Sequence, residues 1–160
     1  MLLRFLVYGL FGLSGEVLWT ALYDAVSGTT RAPGDTPGRI PLSTAGRLRL
    51  SGRSYVWMLF IYGGGVLLFE PVHDAVRGLP LVARGGIYMA GCFAVEYVTG
   101  FLLKRLTGSC PWDYSWTRWS VHGYIRLDYA PVWFLLGVLL ERAHDLLVSV
   151  EPAIRRALGA

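Results

Sequence analysis

Hydrophobic positions in this chain come in long runs rather than in the short alternations of a sheet protein. Four windows, at residues 2–26, 55–76, 81–106 and 131–150, are mostly apolar, and each approaches the roughly 20 residues a helix needs to cross a bilayer. None is free of ionisable residues, so each would also suit a buried helix of a soluble all-α protein. Four such runs in 160 residues leave too little polar sequence to coat a soluble bundle. The pattern therefore predicts an all-α fold: an integral membrane four-helix bundle forming a single transmembrane domain over residues 1–160. The first run passes Glu16 with no small-x-small cleavage site behind it, and it reads as a retained span rather than a signal peptide.

The connections differ in character. Residues 27–53 are rich in Gly, Pro, Thr and Arg without periodicity, which predicts an irregular interfacial loop. Residues 77–80 form a tight turn, and a short helical tail is expected over 151–160. The segment 108–130 carries Trp and Tyr at a density that fits a headgroup-level belt or a re-entrant cap. The two long loops hold the larger share of Arg and Lys, a bias that leans toward placing them in the cytoplasm.

Composition sharpens this picture. The chain is 54% hydrophobic and only 16% charged, where about a quarter charged is usual for soluble domains. Its net charge of +4 comes from arginines between apolar runs rather than from a basic stripe interleaved with aromatics. Membrane flanking explains that placement, and nucleic-acid binding is not expected. Cys92 and Cys110 match no zinc or redox spacing, and Cys92 reads as a small buried hydrophobe.

The chain also repeats itself. Laid over the third run, the first places Tyr8, Gly12, Glu16, Thr20 and Asp24 on Tyr88, Cys92, Glu96, Gly100 and Lys104, each set on one helical face. The second and fourth runs share the word E-x-x-H-D, as Glu70, His73, Asp74 and Glu141, His144, Asp145. This pattern predicts two tandem two-helix repeats in the same membrane orientation. Each run then contributes one intramembrane acid: Glu16, Glu70, Glu96 or Glu141. Charge at mid-bilayer costs at least about 2.5–3.5 kcal/mol, so such acids usually turn inward. Each could be structural glue, protonated or paired with Arg, and together they could make one polar site.

Converging acids cannot all be ionised without something to offset them. Protons would suit a relay or proton-coupled transport, a cationic or polar substrate would suit a carrier, and metal would suit an enzyme. Di-iron bundles use lone Glu residues from two helices and Glu-x-x-His from two others. Glu16 and Glu96, with Glu70, His73, Glu141 and His144, reproduce that list for a di-metal centre of iron, manganese or zinc. Pro71 should kink the second helix at its ligand pair, and both histidines also suit helix ends beside water.

C-P-W-D-Y-S at 110–115 and G-Y-I-R-L-D-Y-A-P-V-W-F at 123–134 resemble the transmembrane protein 229 family and its bacterial relatives labelled putative ABC-transporter type IV. Y-G-L-F-G-L-S-G-E at 8–16, W-M-L-F-I-Y-G at 57–63 and E-Y-V-T-G-F at 96–101 agree, so the resemblance spans roughly residues 5–145. It implies a small multi-pass membrane protein, and Glu16, Glu70, Glu96, Glu141, Trp112, Asp113 and Tyr114 match its motif positions. His73, His144 and the long 28–53 loop depart from it. No G-x-x-x-x-G-K-[ST] occurs, so an ATPase would be a separate polypeptide, a partner beside the lipid bilayer or another membrane subunit.

Within the aromatic loop, Pro111 fixes a turn, Trp112 and Tyr114 suit interfacial anchoring, and Asp113 suits a helix cap or a pair with Arg118 or Arg126. A structural lid is one expectation. The other sets Asp113, His122 and Asp128 at the mouth of the acidic site. Three functions remain open at this stage. The leading one is a transport or permease-like component for a small solute or lipid, in the cell membrane (the inner membrane of a bacterium). The others are a membrane metalloenzyme acting on a lipid or isoprenoid, and an assembly protein.

Overall fold

A computed structural model describes residues 1–32, 38–157 and 159. It is all-α apart from two small hairpins. Helix α1 (Leu2–Ser27) is followed by β1 (Thr29–Arg31), β2 (Arg39–Pro41), the short α2 (Thr44–Leu48), α3 (Val56–Gly63) and α4 (Gly65–Val76). Then come α5 (Leu81–Thr107), β3 (Ser120–Val121), β4 (Ile125–Arg126), a 3-10 turn (Leu127–Tyr129) and α6 (Ala130–Ala157). Glycine ends both long early helices: Gly28 (φ 67°) and Gly108 (φ 83°) adopt the left-handed conformation and donate to Asp24 O and Lys104 O, the cap that lets a helix stop without a Cβ penalty.

Three segments are long and apolar enough to cross a membrane: Leu2–Ser27, Val56–Val76 and Leu81–Thr107. At 1.5 Å per residue even the 21-residue member spans about 31 Å, matching a hydrocarbon core. Leu6, Leu10, Phe11, Leu18, Phe60, Leu67, Leu68, Val98 and Leu102 point outward from them, as lipid contact requires. The protein is a membrane protein.

Three expectations need correction. The fourth run forms a helix but is not among the spans that qualify by composition, because Glu141, Arg142, His144, Asp145 and Glu151 interrupt its leucines. That helix also continues without a break to Ala157, so no separate tail exists over its described residues. The 27–53 loop is partly ordered: Thr30 pairs with Ile40 in an antiparallel hairpin, and Ser43 caps α2 by accepting from Gly46 N at 3.1 Å; its tip, 33–37, lies outside the described residues. The second span also has an interruption at Gly64, between α3 and α4, and carries Pro71 inside α4.

The chain divides into two compact units. The first comprises residues 1–66 and 96–127. Here α1 and α3 meet through glycines: a Cβ on Gly12 would lie 2.2 Å from the Tyr62 ring, and one on Gly63 2.7 Å from Phe5. Such close approach gives apolar helices their van der Waals contact where the hydrophobic effect is absent. The second unit comprises residues 67–95 and 128–160. Gly85 lies under Phe134 and Gly137 under Tyr88, with hypothetical Cβ separations of 2.3 and 2.4 Å.

Candidate functional site

In the second unit the buried stripe of α6 is Gly137, Glu141, His144, Leu147 and Glu151, a single helical face by its spacing. Leu135, Leu136, Leu139 and Leu146 lie outside. Along this stretch Glu141 and Glu151 are buried while most of the leucines are exposed, the reverse of a soluble amphipathic helix. On α4 the matching face holds Glu70 and the fully buried His73, whose i, i+3 spacing aligns them.

The doubled word folds back on itself. His73 Nδ1 lies 3.7 Å from Glu141 Oε2, and His144 Nδ1 lies 3.5 Å from Glu70 Oε1. Each histidine thus meets the glutamate of the other word, and exchanging 70 with 141 and 73 with 144 carries one contact into the other. The two imidazoles touch edge to face at 5.0 Å, with Phe69 stacked on His73 at 5.6 Å.

Arginine then fixes the direction of a hydrogen-bond chain. Arg77 Nη1 is 3.1 Å from His73 Nε2, and since guanidinium only donates, Nε2 must accept. His73 is therefore the neutral tautomer with its proton on Nδ1, donating to Tyr88 Oη at 3.0 Å. Tyr88 in turn donates to Glu141 Oε2 at 3.0 Å. Arg84 grips the same carboxylate in a fork, Nε and Nη2 each 2.8 Å from an oxygen, the strong planar geometry of guanidinium on carboxylate. Arg77 also reaches Asp145 Oδ2 at 2.8 Å. The charge on Glu141 is thus met by Arg84 and that on Asp145 by Arg77. One ligand atom each from His73, His144 and Asp145 lie within 4.8 Å of one another, so these three could hold a metal ion.

The other two expected acids belong to the first unit. Glu16 accepts from Ser54 Oγ at 2.6 Å, and Glu96 accepts from Tyr114 Oη at 2.8 Å. The second bond ties the C-P-W-D-Y-S loop to α5. Trp112 Nε1 donates to Tyr124 O at 3.0 Å, and Gly100 leaves room beneath Cys110, Trp112 and Tyr124. Arg31 donates to Pro111 O, joining this loop to the first hairpin. Asp113 turns its Oδ1 to the Ser115 amide at 2.9 Å, closing an Asx turn. His122 (φ 54°) pairs with Tyr97 Oη at 2.8 Å. Asp128, in the 3-10 turn, begins the second segment of the second unit and is exposed. Burial pushes the Cys110 thiol up to about 11.

Sequence reading missed a charge cluster here. Asp24, in the last turn of α1, is buried and bonds Arg39, Arg53 Nη2 (2.7 Å) and Thr30 Oγ1 (2.7 Å). A carboxylate at a helix C-terminus opposes the helix dipole, so it needs such cations. Arg39 and the buried Arg126 also lie over aromatic faces, at 4.8 Å from Tyr23 and 5.0 Å from Trp116. Also missed were Arg77, Arg84 and Tyr88 as partners of the acids. The available signal was spacing, since Arg77 is four residues after His73 and Tyr88 four after Arg84.

Apolar helices that face their leucines outward and their charges inward define the class: a helical membrane protein with an internal polar network. A family profile described as Putative ABC-transporter type IV matches residues 43–157. The chain belongs to that family. The match takes in Glu70, Glu96, Glu141, His73, His144 and the C-P-W-D-Y-S loop, and leaves out α1 with Glu16 and Asp24. No solved structure matches the chain.

Proposed function

We propose that this protein is a permease-like component of a transport system for a small solute or lipid, a multi-pass protein of the cell membrane working with a separate ATPase or another membrane subunit. The carrying observation is the Arg84–Glu141–Tyr88–His73–Arg77 chain, whose Glu141, Tyr88 and His73 are buried in a unit that exposes most of its large apolar side chains. Ionisable groups in such a setting are costly and typically mark a substrate or proton path. On this reading the intramembrane acids Glu16 and Glu96 serve the first unit, and Glu70 and Glu141 the second. Trp112, Asp113, Tyr114, His122 and Asp128 are the groups a solute would meet outside the spans.

The test compares the solute and lipid content of cells expressing the wild type, Glu141→Gln, Glu96→Gln or no protein, by untargeted mass spectrometry. Transport predicts a compound class that changes with wild type and returns to the empty-vector level with either variant. Identical profiles for wild type and empty vector would refute it. A wild-type effect kept by both folded variants would refute the role of the acids alone.

A further inference from the structure

We propose that His73, His144 and Asp145 form a binding site for one divalent first-row transition-metal ion, and that Arg77 is its displaceable plug. The inference does not depend on transport. It differs from the six-residue, two-metal list that the sequence suggested, because Asp145 replaces the glutamates as carboxylate ligand.

The donor set comes first. Two imidazoles and one carboxylate, with ligand atoms within 4.8 Å of one another, suit iron, cobalt, nickel or zinc. Magnesium and calcium prefer all-oxygen shells. The supporting shell comes second. Ligating histidines usually direct their other ring nitrogen to a carboxylate or equivalent acceptor, which fixes tautomer and orientation. Both histidines do so here. His73 Nδ1 donates to Tyr88 Oη, which hands the chain on to Glu141, and His144 Nδ1 faces Glu70 Oε1 at 3.5 Å. The doubled word E-x-x-H-D thereby supplies two ligands and their two outer carboxylates from equivalent positions.

Arg77 is the third observation. Its guanidinium spans His73 Nε2 (3.1 Å) and Asp145 Oδ2 (2.8 Å), so a cation already bridges an imidazole nitrogen and a carboxylate that a metal would bridge. The Arg77 side chain is 57% exposed, whereas His73 is 0% exposed. A flexible, largely solvated arm can leave, and the buried ligand cannot. Arg77 and a metal ion therefore compete for one place, which makes metal affinity a function of where Arg77 points.

The experiment titrates Co2+, and separately Zn2+ and Mg2+, into the purified full-length protein in detergent, reading the Co2+ visible spectrum and equilibrium dialysis. Arg77→Gln should bind one equivalent of Co2+ or Zn2+ at least about tenfold more tightly than wild type, and Mg2+ should not respond. Asp145→Asn in the Arg77→Gln background should lose the tetrahedral or five-coordinate Co2+ signature. Glu70→Gln in that background should weaken binding by about 10–100-fold, the usual effect of losing an outer partner. Circular dichroism confirms that each variant is folded. His144→Gln serves as the second ligand test should Asp145→Asn fail to fold. Equal affinity for wild type and Arg77→Gln would overturn the plug. No stoichiometric binding by Arg77→Gln, or binding unchanged by both ligand substitutions, would overturn the site.

Discussion

Replacing Gly137 with alanine should damage the polar network without touching any charged residue. The added methyl would sit 2.4 Å from Tyr88 Cβ, 3.1 Å from Cγ and 3.2 Å from Cδ2. Carbon atoms rest at about 3.5–4.0 Å, so roughly 1 Å of separation must be found. Tyr88 Cβ is attached to the backbone of α5 and cannot swing aside, so the α5 and α6 backbones must separate at that point. Overpacking of this kind costs about 1–3 kcal/mol. Tyr88 also holds two 3.0 Å hydrogen bonds, to His73 and Glu141, each worth about 1 kcal/mol if broken. Gly86, also in α5, is the control: a Cβ there meets nothing within 4 Å. Gly86→Ala should stabilise the helix by about 0.5–1 kcal/mol through lower chain entropy in the unfolded state and better helix propensity. Both variants are compared with wild type by thermal and denaturant unfolding in detergent micelles, followed by circular dichroism. If Gly137→Ala proves as harmless as Gly86→Ala, the close packing of Tyr88 on α6 is not as described.

Two further outcomes follow from the charges and the loop. Glu141→Gln should lower stability by about 1–3 kcal/mol, because Arg84 loses its counter-charge and one of the two accepting oxygens is replaced by an NH2 that cannot accept, and Arg84→Met/Glu141→Leu should recover part of the loss of Arg84→Met, as measured by a double-mutant cycle. Cys110, with its thiol near 11 against an ordinary 9.0, stays protonated up to higher pH than a free thiol; at pH 8 in a Cys92→Ser background it should react with iodoacetamide about 100-fold more slowly than an exposed cysteine, and the rate should climb until pH passes about 11.

The helices were legible because bilayer thickness acts on run length, which needs no tertiary information. The doubled E-x-x-H-D word was legible for a similar reason, since i, i+3 spacing fixes one face of a helix before any partner is known. What the acids meet was not legible. Arg77 read as a turn charge and Arg84 as a charge at the start of the third run, because a linear sequence shows their distance from Glu141 and Asp145 only as dozens of residues. The ordered parts of 27–53 were hidden by glycine and proline, whose hairpin is held by Arg39 and Arg53 reaching Asp24 rather than by strand propensity. The fourth run forms a helix as expected, but its charges keep it off the set of segments that qualify as spans by composition.

The two aspartates of the repeated word make the point in a form that can be tested. Asp74 and Asp145 occupy the same letter, and nothing within the word itself separates them. In the structure Asp74 is exposed, while Asp145 Oδ2 receives Arg77 and Oδ1 lies 3.6 Å from His73 Nε2. The asymmetry originates one turn beyond the word, where α4 supplies Arg77 at the fourth position after His73 and α6 supplies Val148 after His144. Asp74→Asn should therefore change stability by no more than about 0.5 kcal/mol, as for an ordinary surface site. Asp145→Asn should release Arg77, and with it the only charged donor assigned to His73 Nε2 among the described residues. The expected signature is a lower unfolding midpoint for Asp145→Asn alone, together with a shift of the His73 side-chain nitrogen resonances that Asp74→Asn does not produce. Equal responses from the two substitutions would mean that the word acts as a symmetric pair, and that Arg77 does not set the state of His73.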